Sequence, residues 1–171
     1  MYQLPKKYNE SLLKQKEIRV IFLHRKNILK TAVSAAIAEQ NNIWAIGDKK
    51  KITKKMNEYN SLDISDLQRT IDFLYNSIKH YKEVIKKSNI RFFDIIYEDL
   101  YEGTVDSKLN TIKDLFSFLD YAQPSDEIIN KIKAILSPKR KINNIEIHKK
   151  IPNIREIERK LGKKKNGFLF K

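Results

Sequence analysis

A chain of 171 residues suits one domain and is short for two. Hydrophobic residues at 41% and charged residues at 33%, with eight Tyr, eight Phe and one Trp, supply a core and exclude a generally disordered chain. The formal charge of +14 favours anionic partners without choosing among nucleotides, nucleic acid, phosphate or anionic lipid, and its 28 Lys against 7 Arg also match what an AT-rich coding sequence produces. No apolar run approaches the roughly 20 residues of a membrane span, and residues 1–16 lack the apolar stretch of a signal peptide, so a cytoplasmic location is the expectation. Without cysteine there is no disulfide, thiol nucleophile or zinc-thiolate site, and with only His24, His80 and His148 as imidazoles no metal is expected. Gly47, Gly103, Gly162 and Gly167 are too far apart to build a Gly-rich phosphate loop.

In chain order, residues 18–24 (IRVIFLH) read as a buried strand that ends at Arg25-Lys26. Asn27 then caps a helix from Ile28 to Gln40, whose Leu29, Ala32, Val33, Ala36 and Ile37 recur at helical spacing. Residues 41–61, with Trp44, Gly47 and Lys49-Lys50-Lys51, read as a mobile surface connection of a length that often covers a site. Ile64, Leu67, Ile71, Leu74, Ile78, Tyr81 and Ile85 mark a long helix over about 63–88, capped by Ser61 or Asp63. Residues 91–97 (RFFDIIY) form a second strand, broken by Glu98-Asp99-Leu100 and Gly103 into a strand-to-loop junction. Further helices follow at 106–121, from Pro124-Ser125-Asp126 to about Leu136, and at about 154–161 before Gly162. The class is α/β, but two strands make an incomplete sheet, which points to a preceding βα segment that is missing or supplied by another chain.

Arg25 stands at the carboxyl end of the first strand, where ligands sit in α/β sheets, and offers a planar fork of donors to phosphate oxygens. Lys30 and Ser34, four residues apart, share one face of the next helix, so the three could hold one phosphate. The same residues also fit a plain strand-end Arg and a small Ser in an Ala-rich interface. Trp44 suits stacking on a base or sugar as well as packing, Glu98 and Asp99 suit acid-base work but better a structural role capping the next segment, and His24 points away from Arg25 as a packing residue. Lys49-Lys50-Lys51, Lys139-Arg140-Lys141 and Lys163-Lys164-Lys165 are solvated charge runs or anion-recruiting patches.

The stretch Phe22-Leu23-His24-Arg25-Lys26-Asn27, followed by Ala32-Val33-Ser34 and Ile37-Ala38-Glu39-Gln40 ahead of Trp44, resembles the 3′-phosphate-binding segment of PAPS-dependent sulfotransferases, closest in form to their bacterial carbohydrate branch. Asp94-Ile95-Ile96-Tyr97-Glu98-Asp99-Leu100, with Leu115-Phe116-Ser117-Phe118-Leu119 after it, is similar to that family's strand-loop-helix segment. A looser likeness covers Ile151-Pro152-Asn153-Ile154-Arg155-Glu156-Ile157-Glu158 and Asn166-Gly167. Order and spacing correspond to the family's carboxyl-terminal half over about residues 18–170.

The resemblance implies a helix-rich α/β protein with a parallel-sheet P-loop nucleotide-kinase-like sulfotransferase fold, residues 1–171 forming a single, incomplete domain. The family's N-terminal phosphosulfate loop unit and the segment that supplies its catalytic base have no counterpart in these 171 residues. The implied reaction moves a sulfuryl group from PAPS (3′-phosphoadenylyl sulfate) to a hydroxyl of a small-molecule or glycan acceptor, leaving adenosine 3′,5′-bisphosphate, with no metal. Arg25 and Ser34 would contact the 3′-phosphate and Lys30 would assist. Such a chain is expected to be inactive alone, or to work with a chain that supplies the N-terminal half. The rival reading is a non-catalytic basic module for nucleic acid or an acidic partner, opposed by the lack of a nucleic-acid motif; nonspecific nucleic-acid binding is all that is expected.

Overall fold

The computed structural model describes residues 6–13, 15, 17–42, 59–136 and 145–170. The described elements are α1 (Lys6–Leu12), β1 (Val20–His24), α2 (Ile28–Asn41), α3 (Ile64–Lys87), β2 (Phe92–Ile96), α4 (Tyr97–Tyr101), α5 (Val105–Phe118), α6 (Asp126–Ile135), α7 (Ile145–Lys149) and α8 (Ile154–Leu161). The chain divides into two compact units, Met1–Arg25 with Tyr75–Pro138 and Lys26–Leu74 with Lys139–Lys171. The connection expected over 41–61 falls outside the described residues from 43 to 58, together with Trp44 and Lys49-Lys50-Lys51, and so does Lys139-Arg140-Lys141.

In the first unit β1 and β2 pair in parallel, with Val20 opposite Phe92 and His24 opposite Ile96. Side chains alternate along a strand, so this register puts Val20, Phe22 and His24 on one face with Phe92, Asp94 and Ile96, and Ile21 and Leu23 on the other with Phe93 and Ile95. Each face grows its own core. Phe22 packs with Leu13, Tyr81, Ile85 and Ile90, joined by Val20, Ile78 and Val84. Ile95 packs with Leu100 and Leu136, joined by Phe93, Tyr101, Ile112, Leu115 and Ile132. Helices therefore lie against both faces of a two-stranded parallel sheet, giving a helix-rich α/β architecture. Ile21 and Leu23, 45% and 54% exposed, remain open on β1.

The amino ends of both strands meet one carboxylate. Asp120, held at φ 58° after α5, is an ion-pair partner of Arg19 just before β1 and lies 3.9 Å from Arg91 just before β2. Arg19 also donates to the Phe118 carbonyl at 3.0 Å. Thr104 and Ser125 cap α5 and α6 by accepting from Ser107 N–H and Ile128 N–H.

The expected loop after β2 is instead helix α4, which begins at the next residue. Glu98 and Asp99 lie in its first turn, where the positive end of the peptide dipoles favours carboxylates, and Leu100 buries its side chain in the Ile95 cluster. One buried leucine and two well-placed acids outweigh the short length of the segment. Helices α1 and α7, too short for a readable period, are additions to the elements expected from sequence.

The second unit is closed by side chains that bond backbone. Asn27 caps α2, its Oδ1 accepting from Lys30 N–H at 2.9 Å, while its Nδ2 donates to the Phe168 carbonyl at 2.7 Å. Leu29 N–H donates to the Asn166 carbonyl at 2.9 Å, which seats the C-terminal turn on the start of α2. Asn153 brackets Leu62, accepting from its N–H at 3.0 Å and donating to its carbonyl at 2.8 Å. Glu158 accepts from Leu169 N–H at 2.9 Å.

Gly167 is the tightest point of this closure. Its φ is +86°, and a Cβ there would stand 2.5 Å from Cγ and Oδ1 of Asn27. Replacing it with Ala adds left-handed backbone strain and pushes aside the α2 cap, so Gly167→Ala is expected to cost about 1–3 kcal/mol. Urea unfolding checks this, and an Ala variant as stable as the parent would contradict it.

Candidate functional site

The carboxyl end of the two-stranded sheet gathers the chemistry of the first unit. Arg25 follows β1 directly, and its guanidinium carbon lies over the Tyr97 ring, 3.7 Å from the centroid. Tyr97 is the first residue of α4, and it stacks on Tyr101 one turn later, with centroids 4.4 Å apart and planes 21° from parallel. Among the described residues no carboxylate pairs with Arg25, so its in-plane N–H donors remain available to an anion. A cation lying flat on an aromatic face gains from the ring quadrupole and keeps those donors pointing outward.

On the neighbouring face, His24 Nε2 lies 3.0 Å from Asp94 Oδ1, and Lys82 Nζ donates to Asp94 Oδ2 at 2.7 Å. The His24 ring also lies 5.6 Å from that of Phe22. Asp94 thus ties β2 to α3 through Lys82, while His24 Nε2, buried beside the same carboxylate, has no hydrogen-bond partner among the described residues. His24 is a mostly enclosed residue of this cluster, its side chain 11% exposed. Glu98 and Asp99 lie in the first turn of α4, the helix that carries Tyr97.

Lys30 and Ser34 belong to the second unit, on one side of α2, both half-buried. The helix bearing them begins at the Asn27 cap, two residues after Arg25 in the chain. In the same unit His148 on α7 is 4% exposed, and neither ring nitrogen has a hydrogen-bond partner among the described residues. Burial, and secondarily the positive charge of Lys30, lower its pKa from 6.5 to about 4. Tyr59, also buried with an unpartnered hydroxyl among the described residues, has its phenol pushed above its ordinary value by burial. The role of Tyr97 escapes sequence reading, because its segment reads as strand followed by loop. The i, i+4 spacing of Tyr97 and Tyr101 is the signal that points to it.

The first unit is a helix-rich α/β arrangement with an aromatic-backed arginine at the carboxyl end of a parallel strand, and a guanidinium there has the chemistry to pair with an anion. The Stf0 sulphotransferase family model matches residues 5–135, and the chain belongs to this family, whose reaction is sulfuryl transfer to an acceptor. The match starts nearer the amino end than the motif resemblance and stops before residues 151–167. No curated protein and no solved structure matches the chain. No described helix is long and apolar enough to cross a membrane.

The buried imidazole makes stability depend on pH. Folding favours the neutral ring, so between pH 6.5 and about 4 the unfolded chain binds the extra proton and stability falls with pH. The interval corresponds to roughly 3 kcal/mol at most, fully present above 6.5. His148→Leu keeps the apolar bulk and removes the titration. The stability difference between His148→Leu and wild type is expected to widen in favour of the variant as pH drops from 7.5 to 4.5 in urea unfolding. An offset independent of pH would contradict the assignment.

Proposed function

We propose that this domain serves transfer of a sulfuryl group from PAPS to a hydroxyl of a carbohydrate-type acceptor, with Arg25, Ser34 and Lys30 taking the 3′-phosphate of the cofactor. The observation that carries the reading is the guanidinium of Arg25, free of carboxylate partners among the described residues and laid on Tyr97 at the carboxyl end of β1. A planar fork of donors fits two phosphate oxygens at once. Ser34 adds a hydroxyl donor from α2 and Lys30 a positive charge from the same face of that helix. PAPS supplies the activated sulfuryl group; the side chains named here bind and orient its nucleotide end and offset its charge.

The implied architecture is the parallel-sheet P-loop nucleotide-kinase-like sulfotransferase fold, to which β1 and β2 contribute adjacent strands. The four separated glycines do not build a phosphosulfate loop within these 171 residues, so the domain is proposed to need a further segment, in the same or another chain, before it turns over. The lysine excess then acts as a general field that gathers anions.

Calorimetry tests the binding claim. Adenosine 3′,5′-bisphosphate is expected to bind more tightly than 5′-AMP, which lacks the 3′-phosphate. Arg25→Ala is expected to weaken the bisphosphate by about 10- to 150-fold, the value of one charge-assisted contact, and to leave 5′-AMP nearly unchanged. Equal affinities for the two nucleotides would overturn the assignment.

A further inference from the structure

Between the packed interior of the first unit and the guanidinium of Arg25 runs an unbroken stack of planar groups. Tyr101 is packed against the Ile95, Leu100 and Leu136 cluster. Its ring lies against Tyr97 at 4.4 Å, and the ring of Tyr97 lies under Arg25 at 3.7 Å. The backbone of α4 holds the two tyrosines one turn apart, and Lys108 Nζ donates to the Tyr101 carbonyl at 2.9 Å, bracing the end of that helix from α5. Gly103 permits the tight exit: a Cβ there would fall 2.5 Å from the Asp99 carbonyl oxygen.

We propose that Tyr97, backed by Tyr101, is a positioning residue that fixes the plane of the Arg25 guanidinium so that its fork meets an anionic ligand without reordering. The inference rests on the reading of Arg25 as a phosphate ligand. A free arginine spreads over many rotamers, and immobilising it on binding costs affinity; a ring that already holds the guanidinium removes part of that cost. A guanidinium whose carbon sits 3.7 Å over a ring spends none of its in-plane N–H donors on that contact, which suits bidentate recognition of a phosphate. The part of Tyr97 that matters is its aromatic face, not its hydroxyl. Tyr101 acts one step further back, passing the rigidity of the Ile95 cluster to Tyr97.

A double-mutant cycle read by calorimetry with adenosine 3′,5′-bisphosphate separates this role from others. Tyr97→Phe keeps the face and is expected to bind within about 2-fold of wild type, whereas Tyr97→Leu is expected to lose about 3- to 30-fold. In the Arg25→Ala background Tyr97→Leu should cost almost nothing more, because the tyrosine works through the arginine. The Nε–Hε proton of Arg25, followed by NMR without ligand, should show a ring-current shift in wild type and Tyr97→Phe that Tyr97→Leu removes, and it reports the stack independently of binding. A Tyr97→Leu variant that retains its thermal transition and binds like wild type overturns the positioning role while Arg25→Ala still supports the ligand role. Equal losses from Tyr97→Leu with and without Arg25 overturn it in favour of a separate contact to the nucleotide. If Arg25→Ala leaves binding intact, the ligand reading fails and the positioning role fails with it, even where the NMR shift is present.

Discussion

Five residue pairs of parallel strand decide most of what the first unit can do. With Val20 set opposite Phe92, side chains of like parity share a face, and a slip of one residue would send Phe22 away from the α3 core and Ile95 away from the α4 to α6 core. The register also fixes the two ends of the sheet. At the amino ends Arg19 and Arg91 converge on Asp120; at the carboxyl ends Arg25 and Tyr97 emerge side by side, because each follows the last residue of its strand. The contact between a cation and an aromatic ring is therefore a product of strand pairing, reached by residues 72 positions apart in the chain.

Charge is handled differently in the two units. In the first, carboxylates gather several partners: Asp94 pairs with Lys82 and lies beside the His24 ring, and Asp120 serves two arginines. Arg25 stands apart from these clusters, resting on a quadrupole that costs it no donor. In the second, neutral amides supply much of the order: Asn27 and Asn153 bond backbone groups far away in the chain, and Asn166 Nδ2 donates to the Leu161 carbonyl five residues back. Such bonds hold loops with uncharged groups, and His148 in the same unit favours its neutral ring chiefly because it is buried, the positive charge of Lys30 acting in the same direction.

The family match covers both the strand pair and the helix that follows each strand. The matched span of residues 5–135 contains Arg25, Lys30 and Ser34 as well as Tyr97 and Tyr101. Sulfuryl transfer involves highly charged groups and little covalent work by the protein, which favours a site made of oriented cations and hydroxyls over one built around a nucleophile. The chain offers such groups, and it has no cysteine.

Local patterns determined the extents of β1, α2, α3, β2, α5, α6 and α8 to within a few residues. Their apolar periods and caps, such as Asn27, Ser125 and Gly162, act over a turn or two of chain. Arg25, Lys30 and Ser34 were legible as candidates for the same reason, since a strand end and a helix face are local features. Helix α4 was not, because five residues carry no measurable period and its stability comes from Leu100 entering a core assembled from β2, α5 and α6. Only tertiary structure decided that Tyr97 lies under Arg25, that Asp94 faces His24 and Lys82, and that His148 is buried without a partner among the described residues. Each depends on strand register or on contacts between residues far apart in sequence, and long-range packing leaves no periodic trace in the order of amino acids.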